Sequence, residues 1–232
     1  MILASHQPYF LPYLAYWQLI HAADIFLIGD DFAFMKSGWI PRNRILVQGQ
    51  PQFLRVEVRA KSSFKRICDT SLAPRNNGDK LRTVEMAYHK APYFNEVYPI
   101  IERMLLNGEP NLALFLEASI REICTWLGVT TPIGRTSDLE GNSLLRREDR
   151  IYDMCRRMGA DCYVNAIGGT SLYHKTEFDR QGIRLQFLRC RHTPYQQFGG
   201  PFVPRLSILD AMMFNDREQL HAMLDDYDLV DG

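Results

Sequence analysis

The first 29 residues contain two short apolar runs separated by one helical pattern. Residues 1–5 are mostly apolar and predict a buried first strand, which ends in a turn that contains Pro8 and Pro12. Apolar residues then recur at helical spacing up to about residue 23, and a second buried strand follows over 24–29. A strand, a helix and a strand in so few residues form a short βαβ unit, whose geometry makes both strands parallel. The opening therefore predicts a parallel sheet.

The rest of the chain continues to alternate between strand and helix patterns. Apolar segments at 44–47 and 53–58 flank a stretch containing Gly49 and Pro51, and predict an antiparallel hairpin. Further strands are expected at 133–136, 162–165 and 183–188. Helices are expected over 79–90, from Pro92 onward, over 112–127 between the cap Asn111 and the stop Gly128, and over 147–158, 206–214 and 219–224. We therefore expect an α/β fold with a mainly parallel central sheet flanked by helices and a small antiparallel hairpin excursion.

No linker-like segment divides the chain. Its 232 residues, of which 46% are hydrophobic, are enough for one sizeable core, so we interpret residues 1–232 as a single α/β domain. The hairpin turn and the basic, polar stretch after it make up residues 48–80. We expect this subregion to lie beside the ligand cleft as a cover, mobile when no ligand is bound.

The charge balance narrows the classes of partner. Lys plus Arg equals Asp plus Glu at 27 each, so no overall field favours nucleic acid or a membrane surface, although a local basic site stays possible. No apolar run is long enough to span a membrane and no signal sequence opens the chain, so we expect a soluble, cytoplasmic protein. The five cysteines form no CxxC pair and no metal-ligand spacing. We expect no metal site.

Polar side chains gather where the predicted strands end or in the irregular segments between elements. In a parallel sheet the carboxyl ends of the strands share one edge, so clusters far apart in sequence can converge there. Four such clusters contain the candidate site residues: His6, Gln7 and Tyr9; Asp30, Asp31, Lys36, Trp39, Arg42, Asn43 and Arg44; Asn165, Gly168, Gly169 and Tyr173; and His192 with Tyr195 and Gln196. The alternative for any one cluster is an ordinary solvated loop.

The residue types indicate roles. A neutral His6 can act as a general base, and Gln7 or the amides of Gly168 and Gly169 can stabilise an oxyanion. Arg42 and Arg44 are spaced to lie on one side of an extended chain, which suits a phosphate or carboxylate. The alternatives are a His6 that only hydrogen-bonds a backbone carbonyl, and arginines that form surface ion pairs.

The other candidates have equally plain alternatives. Asp30 and Asp31 can hold a divalent ion or sugar hydroxyls, although such a pair more often caps a turn. Trp39 can stack on a base or a sugar, or it can pack on the core. Gly168-Gly169 is neither a GxGxxG fingerprint nor a Walker loop, so neither dinucleotide nor P-loop chemistry is indicated, and the sequence leaves the cofactor unknown.

Several co-linear motifs carry a resemblance to a known family. The chain resembles the WbqC-like family over nearly its whole length, through these segments: His6-Gln7-Pro8-Tyr9-x-x-Pro12-Tyr13, Asp24-x-Phe26 with Asp30-Asp31, Lys36-x-x-Trp39-x-x-Arg42-Asn43-Arg44, Lys90-Ala91-Pro92-Tyr93-Phe94, Leu127-Gly128, Ser137-Asp138-Leu139, Gly159-Ala160-Asp161-x-Tyr163 with Gly168-Gly169, and Pro204-x-Leu206-Ser207-Ile208-Leu209-Asp210. Ser5, Tyr13, the Ile40-Pro41 pair and Asn165 differ from the residues usual in that family.

The resemblance implies work on amino sugars or carrier-bound acyl groups, in bacterial O-antigen and other polysaccharide biosynthesis or in secondary metabolism. Together with the candidate residues it leads us to expect a transferase that moves an acyl or aminoacyl group to the amine of a nucleotide-linked amino sugar. His6, Gln7 and Asp30 would be catalytic. The alternatives are a non-catalytic binding or scaffold component of such a pathway and, at the level of fold analogy only, a nucleotidyltransferase-like enzyme.

The strand-end argument makes one geometric prediction. His6, Asp30, Arg44 and Gly168 are expected to line a single cleft, with Trp39 and Tyr9 on its wall and His192 near its rim. The substrate is expected to be a small molecule, with no nucleic acid bound and no membrane span. The sequence leaves donor, acceptor and oligomeric state open.

Overall fold

A six-stranded sheet forms the centre of the protein, as the alternation of elements predicts. The computed structural model describes residues 1–59, 62–73, 77–191 and 193–231. The strands are β1 (Ile2–His6), β2 (Ile25–Ile28), β3 (Arg42–Val47), β4 (Gln50–Arg55), β5 (Ile133–Arg135), β6 (Cys162–Ala166), β7 (Arg184–Cys190) and β8 (Tyr227–Asp231). The helices are α1 (Leu14–His21), α2 (Gly78–Tyr88), α3 (Phe94–Leu105), α4 (Leu112–Leu127), α5 (Glu148–Met158), α6 (Lys175–Arg180), α7 (Ile208–Phe214) and α8 (Arg217–Leu224).

The strand order of the sheet is β5-β2-β1-β6-β7-β8. The first five strands pair in parallel, and only β8 pairs antiparallel, with β7. The chain leaves β1 toward β2 on one side, and later returns to the other side of β1 with β6. The order therefore reverses between β1 and β6, and ligands of open α/β sheets bind at the carboxyl ends of the strands at such a point.

The two faces of the sheet are covered by different helices. Ala4 of β1 and Val164 of β6 belong to a large core cluster with side chains of α1, α4 and α8. Leu3 and Tyr163, one position earlier on the same strands, belong to a smaller cluster with side chains of α5 and α6. This alternation follows from the two-residue period of a strand. Because both faces are covered, the ligand-accessible edge is the one where the strands end.

Two local expectations need correction. The second strand of the hairpin is expected to begin near Phe53, but β4 begins at Gln50, directly after a two-residue turn in which Gln48 and Gly49 have φ of 50° and 76°. Two positive φ values give the tight turn that matches strand twist, so pairing starts earlier than Pro51 suggests. The edge strand β8 is missed because its half-exposed residues show no strong alternation.

The predicted ends of α4 are confirmed. The side chain of Asn111 accepts hydrogen bonds from the backbone amides of Ala113 and Leu114, and Gly128 takes the left-handed conformation with φ of 74°. No helix in the described part of the chain is long and apolar enough to cross a membrane.

A buried carboxylate joins the segment before α7 to the core. Asp210 is fully buried and accepts hydrogen bonds from Tyr88 (2.9 Å), Tyr195 (2.7 Å) and Gln197 (2.6 Å). Burial raises the pKa of Asp210, and these three donors oppose the rise because they stabilise the charged form. Gln197 in turn bonds the backbone of Val203 through both of its polar atoms. The network fixes residues 195–203, which lead directly to the candidate site.

We predict that Asp210→Ala lowers the free energy of unfolding by about 3 kcal/mol, because it leaves several buried donors without an acceptor. Urea denaturation followed by circular dichroism measures the change. The control is Asp225→Ala, which removes an exposed carboxylate paired with His21 and is expected to change stability by less than about 1 kcal/mol. Equal effects of the two substitutions would contradict the role given to the network.

Candidate functional site

A cleft of about 500 Å³ lies at the carboxyl ends of β1 and β6, where the strand order reverses. His6 is the last residue of β1, and Asn165 is the next-to-last residue of β6. We call this space the histidine chamber. Its wall is formed by the following residues: Ser5, His6, Gln7, Tyr9, Tyr13, Ala15, Tyr16, Leu19, Phe32, Met35, Trp39, Asn165, Ala166, Gly168, Gly169, Leu172 and Tyr173.

A second space of about 380 Å³ adjoins the first. We call it the arginine chamber. It is lined by Tyr9, Tyr13, Trp39, Asn43, Arg44, Ile167, Gly168 and Arg205. Tyr9, Tyr13, Trp39 and Gly168 line both chambers, so the two form adjacent parts of one cleft. The structure thus brings together His6, Arg44 and Gly168, which are predicted to converge, with Tyr9 and Trp39 on the shared wall.

His6 lies deep in the histidine chamber. Its Nδ1 is 3.0 Å from the carbonyl oxygen of Gln7, and the edges of the Tyr9 and Tyr16 rings contact it with centroid distances of 4.8 Å and 5.3 Å. Burial lowers the pKa of His6 below its ordinary value. A neutral imidazole whose Nδ1–H donates to the carbonyl carries its lone pair on Nε2. Nε2 makes no hydrogen bond with any described residue.

Gly168 and Gly169 lie in one 3-10 helix, Ile167–Leu172, which follows β6. The two glycines differ in their surroundings. A Cβ on Gly169 would lie 2.8 Å from Nδ2 of Asn165, whereas one on Gly168 would meet no atom within 4 Å. Asn165 needs this room because its Oδ1 accepts a hydrogen bond from the amide of Ala166. Tyr173 lines the histidine chamber on the side of these glycines. Burial raises the pKa of Tyr173, and its hydrogen bonds with Tyr163 and Asn165 oppose that rise.

The turn between β1 and α1 carries Tyr9 and Tyr13 into the cleft. Its conformation depends on Leu11, which is buried and has a left-handed φ of 45°. The carbonyl of Leu11 accepts hydrogen bonds from Nδ2 of Asn43 (2.9 Å) and Oγ of Ser207 (2.8 Å). Asn43 Oδ1 accepts from the amide of Arg44. Asn43, predicted as a substrate-binding residue, therefore borders the cleft but uses both polar atoms on the backbone, so it shapes the turn.

Arg44 and Arg205 supply the charge of the arginine chamber. The guanidinium of Arg44 lies 5.7 Å from the ring centroid of Trp39, and its Nη2 donates to the carbonyl of Arg205 at 3.3 Å. Trp39 stays 40% exposed, so one part of its ring is open to a ligand. Neither arginine forms a salt bridge with a described carboxylate.

Asp30, predicted to line the cleft, and Asp31 do not line either chamber, and the catalytic and substrate-binding roles expected for them stay predictions. Asp30 accepts hydrogen bonds from the amide and hydroxyl of Ser137. Asp31 forms an ion pair with Arg150 at 2.8 Å and accepts from Thr136 at 2.6 Å. Both carboxylates are buried and satisfied by the protein, so they fix the loop after β2. No described group of three or more His, Cys, Asp or Glu side chains could hold a metal ion.

Lys36 and Arg42 also lie outside the cleft lining. Arg42 donates to the carbonyls of Ser37 and Gly38, and its guanidinium lies over Phe53 at 4.7 Å. Its side chain therefore folds back on the turn before β3, against Phe53, which is the cross-strand partner of Arg44. Only Arg44 of the two borders the cleft, and the joint binding of one anion by both arginines stays a prediction.

His192 lies outside the described residues, so its predicted place at the rim stays a prediction. The same holds for the parts of the expected cover at 60–61 and 74–76. None of the other residues in 48–80 lines either chamber. The backbone of Ile67 and Cys68 bonds the loop after β2, at Phe32 and Asp30. The described part of this segment thus supports that loop, and its role as a mobile cover stays a prediction.

Comparison with known proteins places the chain in a family. The model of the WbqC-like protein family matches residues 7–222. The chain belongs to the WbqC-like family. An uncharacterized protein of Mycobacterium tuberculosis, Rv1507c, is 29% identical over 213 residues, which cover 90% of this chain and 91% of that protein. No solved structure matches.

The lining residues of this WbqC-like protein that sequence reasoning missed include Tyr13, Tyr16 and Arg205. Tyr16 belongs to the apolar pattern of α1, and nothing in that pattern shows that it faces the cleft. Arg205 lies between Pro204 and Leu206, 161 residues after Arg44. Its one local signal is a cation two residues before Ser207, the N-cap of α7.

The two glycines provide a test of the site geometry. We predict that Gly169→Ala in this WbqC-like protein lowers the free energy of unfolding by about 1–3 kcal/mol, because its Cβ displaces the Asn165 amide. Gly168→Ala is the matched control and is expected to leave stability nearly unchanged. Thermal denaturation of both variants measures the difference. A Gly168→Ala variant as unstable as Gly169→Ala would show that the two positions are not distinguished as described.

Proposed function

We propose that this WbqC-like protein is a transferase that attaches an acyl or aminoacyl group to an amine. Its substrate would be a nucleotide-linked amino sugar or a carrier-bound acyl group. The pathway would be bacterial polysaccharide or secondary-metabolite biosynthesis. The observation that carries the proposal is His6: a histidine whose Nε2 has no described partner, in a cleft at the point where the strand order reverses.

The proposed step is acyl transfer to nitrogen. The amine nitrogen bonds to the carbonyl carbon of the donor while Nε2 of His6 takes the proton that the nitrogen loses. The bond from that carbon to its leaving group then breaks, and the leaving group departs with the electron pair and receives the proton. A positioned base of this kind contributes roughly 10²–10⁴ in rate.

Gln7 supports this chemistry from the next position. Its carboxamide makes no hydrogen bond with a described residue, and its side chain lines the histidine chamber. An amide N–H in this place is a suitable donor to the oxyanion that develops during attack. The rings of Tyr9, Tyr13 and Trp39 line both chambers and offer faces for a sugar or a base. Burial raises the pKa of Tyr9 and Tyr13, so their hydroxyls stay neutral at pH 7.

We predict that His6→Gln reduces turnover by about 10²–10⁴ without loss of fold, because the base is removed. The assay combines nucleoside-diphosphate-linked amino sugars with acyl and aminoacyl thioesters and detects the mass of the product. His21→Gln, which alters an α1 histidine outside the cleft lining, is the control and is expected to keep full activity. Full turnover by His6→Gln would overturn the assignment of the base.

The pH dependence gives a second measurement on the same group. Because burial lowers the pKa of His6 below 6.5, the neutral, active form persists into mildly acidic solution. We therefore predict that kcat/KM stays level above pH 6.5 and falls only as the pH drops through the lowered value. The residual activity of His6→Gln is expected to lack this acidic limb. A limb centred above pH 6.5 would contradict the environment described for His6.

A second candidate function is non-catalytic binding within the same kind of pathway. Two observations favour it. No carboxylate of the described residues lines either chamber, and Nδ1 of His6 bonds a backbone carbonyl where many catalytic histidines have a carboxylate. Thermal-shift binding of nucleotide-sugars and acyl carriers, followed by mass analysis of each ligand, separates the two candidates. Binding without conversion across the panel favours this alternative.

A further inference from the structure

The arginine chamber carries positive charge that the protein does not neutralise. Two of its eight lining residues are arginines, and none is acidic. The adjoining histidine chamber also has no Asp or Glu in its wall. The chain as a whole is balanced, with 27 basic and 27 acidic residues, so this excess is local. A concave site with one sign of charge attracts a ligand of the opposite sign.

The environment of Arg44 shows how unusual the arrangement is within this structure. Its Nε is buried and has no hydrogen-bond partner among the described residues, and its Nη2 bonds only a carbonyl, at 3.3 Å. Arg150, whose side chain is 12% exposed, is by contrast paired with Asp31 through both carboxylate oxygens. The Arg44 side chain is partly exposed, and a buried Nε–H without an acceptor is unfavourable unless a ligand supplies one. Arg44 has the environment of a cation whose anion comes from outside the protein.

The backbone contacts of Arg205 and of its neighbours place it at the same chamber. Its backbone is left-handed, with φ of 58°, and its carbonyl accepts the hydrogen bond from Arg44. Before Arg205, the side chain of Gln197 bonds the backbone of Val203. After Arg205, the hydroxyl of Ser207 donates to the carbonyl of Leu11. The exposed side chain of Arg205 makes no hydrogen bond and no ion pair with a described residue. Two guanidinium groups from distant parts of the chain thus border one space.

We propose that Arg44 and Arg205 form a subsite for the phosphate groups of the ligand. This inference rests on the proposed function in one respect, since it takes the ligand of that cleft to be nucleotide-linked. Guanidinium groups present N–H donors in a fork that matches phosphoryl oxygens. A diphosphate offers one phosphoryl group to each guanidinium, and each phosphoryl group has more acceptor oxygens exposed on a tetrahedral centre than a planar carboxylate has. The rings of Tyr9, Tyr13 and Trp39 then contact the groups attached to the diphosphate.

The test measures binding without any turnover. Titration calorimetry with inorganic pyrophosphate, a nucleoside diphosphate and malonate distinguishes free phosphate chemistry, a nucleotide and a carboxylate. We expect the unmodified protein to bind pyrophosphate or the nucleoside diphosphate more tightly than malonate, and more weakly as salt is raised. Tighter binding of the nucleoside diphosphate than of pyrophosphate would assign part of the affinity to the aromatic wall. Failure of both to bind at millimolar concentration, or malonate as the tightest ligand, would overturn the subsite.

Variants tie the binding to the two arginines. Arg205→Gln is expected to raise Kd about tenfold or more, and Arg44→Lys, which keeps the charge but loses the fork, several-fold. Arg55→Gln is the matched control, because it removes the same charge from an exposed position on β4 outside both chambers, and is expected to change Kd less than twofold. Thermal melting of Arg205→Gln checks its fold. An unchanged Kd in a folded Arg205→Gln protein would contradict the proposal.

The outcome is separable from that of the proposed transfer reaction. His6→Gln is expected to bind the diphosphate as the unmodified protein does, because His6 lines only the other chamber. Diphosphate binding that needs Arg205, with no acyl transfer detected, would keep this subsite and reject the transferase. Acyl transfer by a protein that binds no phosphate compound would keep the transferase and reject this subsite.

Discussion

The carbonyl oxygen of Leu11 accepts hydrogen bonds from Asn43 and Ser207, and these two bonds join segments that lie far apart in sequence. Neighbouring backbone bonds reinforce the junction: the amide of Ser207 donates to the carbonyl of Arg44, and the amide of Ile208 donates to that of Pro12. The turn after β1, the start of β3 and the start of α7 therefore have fixed relative positions. Each contributes to the arginine chamber, through Tyr9 and Tyr13, Trp39 and Arg44, and Arg205 respectively.

This junction also explains why an unfavourable backbone conformation persists at Leu11. A left-handed φ costs a β-carbon-bearing residue roughly 1–2 kcal/mol. The side chain of Leu11 is buried and its carbonyl is doubly bonded, so the surroundings determine the conformation. Strain next to a cleft is common where a loop must present side chains in one arrangement. Here the arrangement is that of Tyr9 and Tyr13, one on either side of the strained residue.

The parts of the site that follow from local pattern were predictable. A buried strand can be recognised from a short apolar run, and the end of each strand marks the shared edge, so His6 and Gly168 were placed together without any structure. The fold class follows in the same way from the alternation of elements. The expectation that residues after parallel strands line one shared cleft fails where a side chain bonds another part of the protein instead. Asp30 lies two residues after the end of β2, yet it bonds Ser137, more than a hundred residues later, through contacts that no local pattern shows.

Arg42 and Arg205 show the same limit from opposite sides. Arg42 was placed in the site from its two-residue spacing to Arg44, but carbonyls of the preceding turn capture its guanidinium. Arg205 was missed because its position depends on the network around Asp210 and on Ser207, which only the folded chain assembles. Strand periodicity gives the direction of a Cα–Cβ bond and does not give the partner of a long side chain. Long cationic side chains are therefore the least predictable members of such a site.

The position of β1 in the sheet has a consequence for how the chain is made. β1 precedes the other strands of the sheet in the sequence, yet it lies inside the sheet, between β2 and β6. It can pair with β2 early, but its other edge pairs through Ile2 with Cys162, which emerges much later. At roughly 5–20 residues per second, the wait is on the order of 10–30 s, during which an apolar strand edge stays open. The cleft at the carboxyl ends of β1 and β6 can therefore form only after β6 has been synthesised.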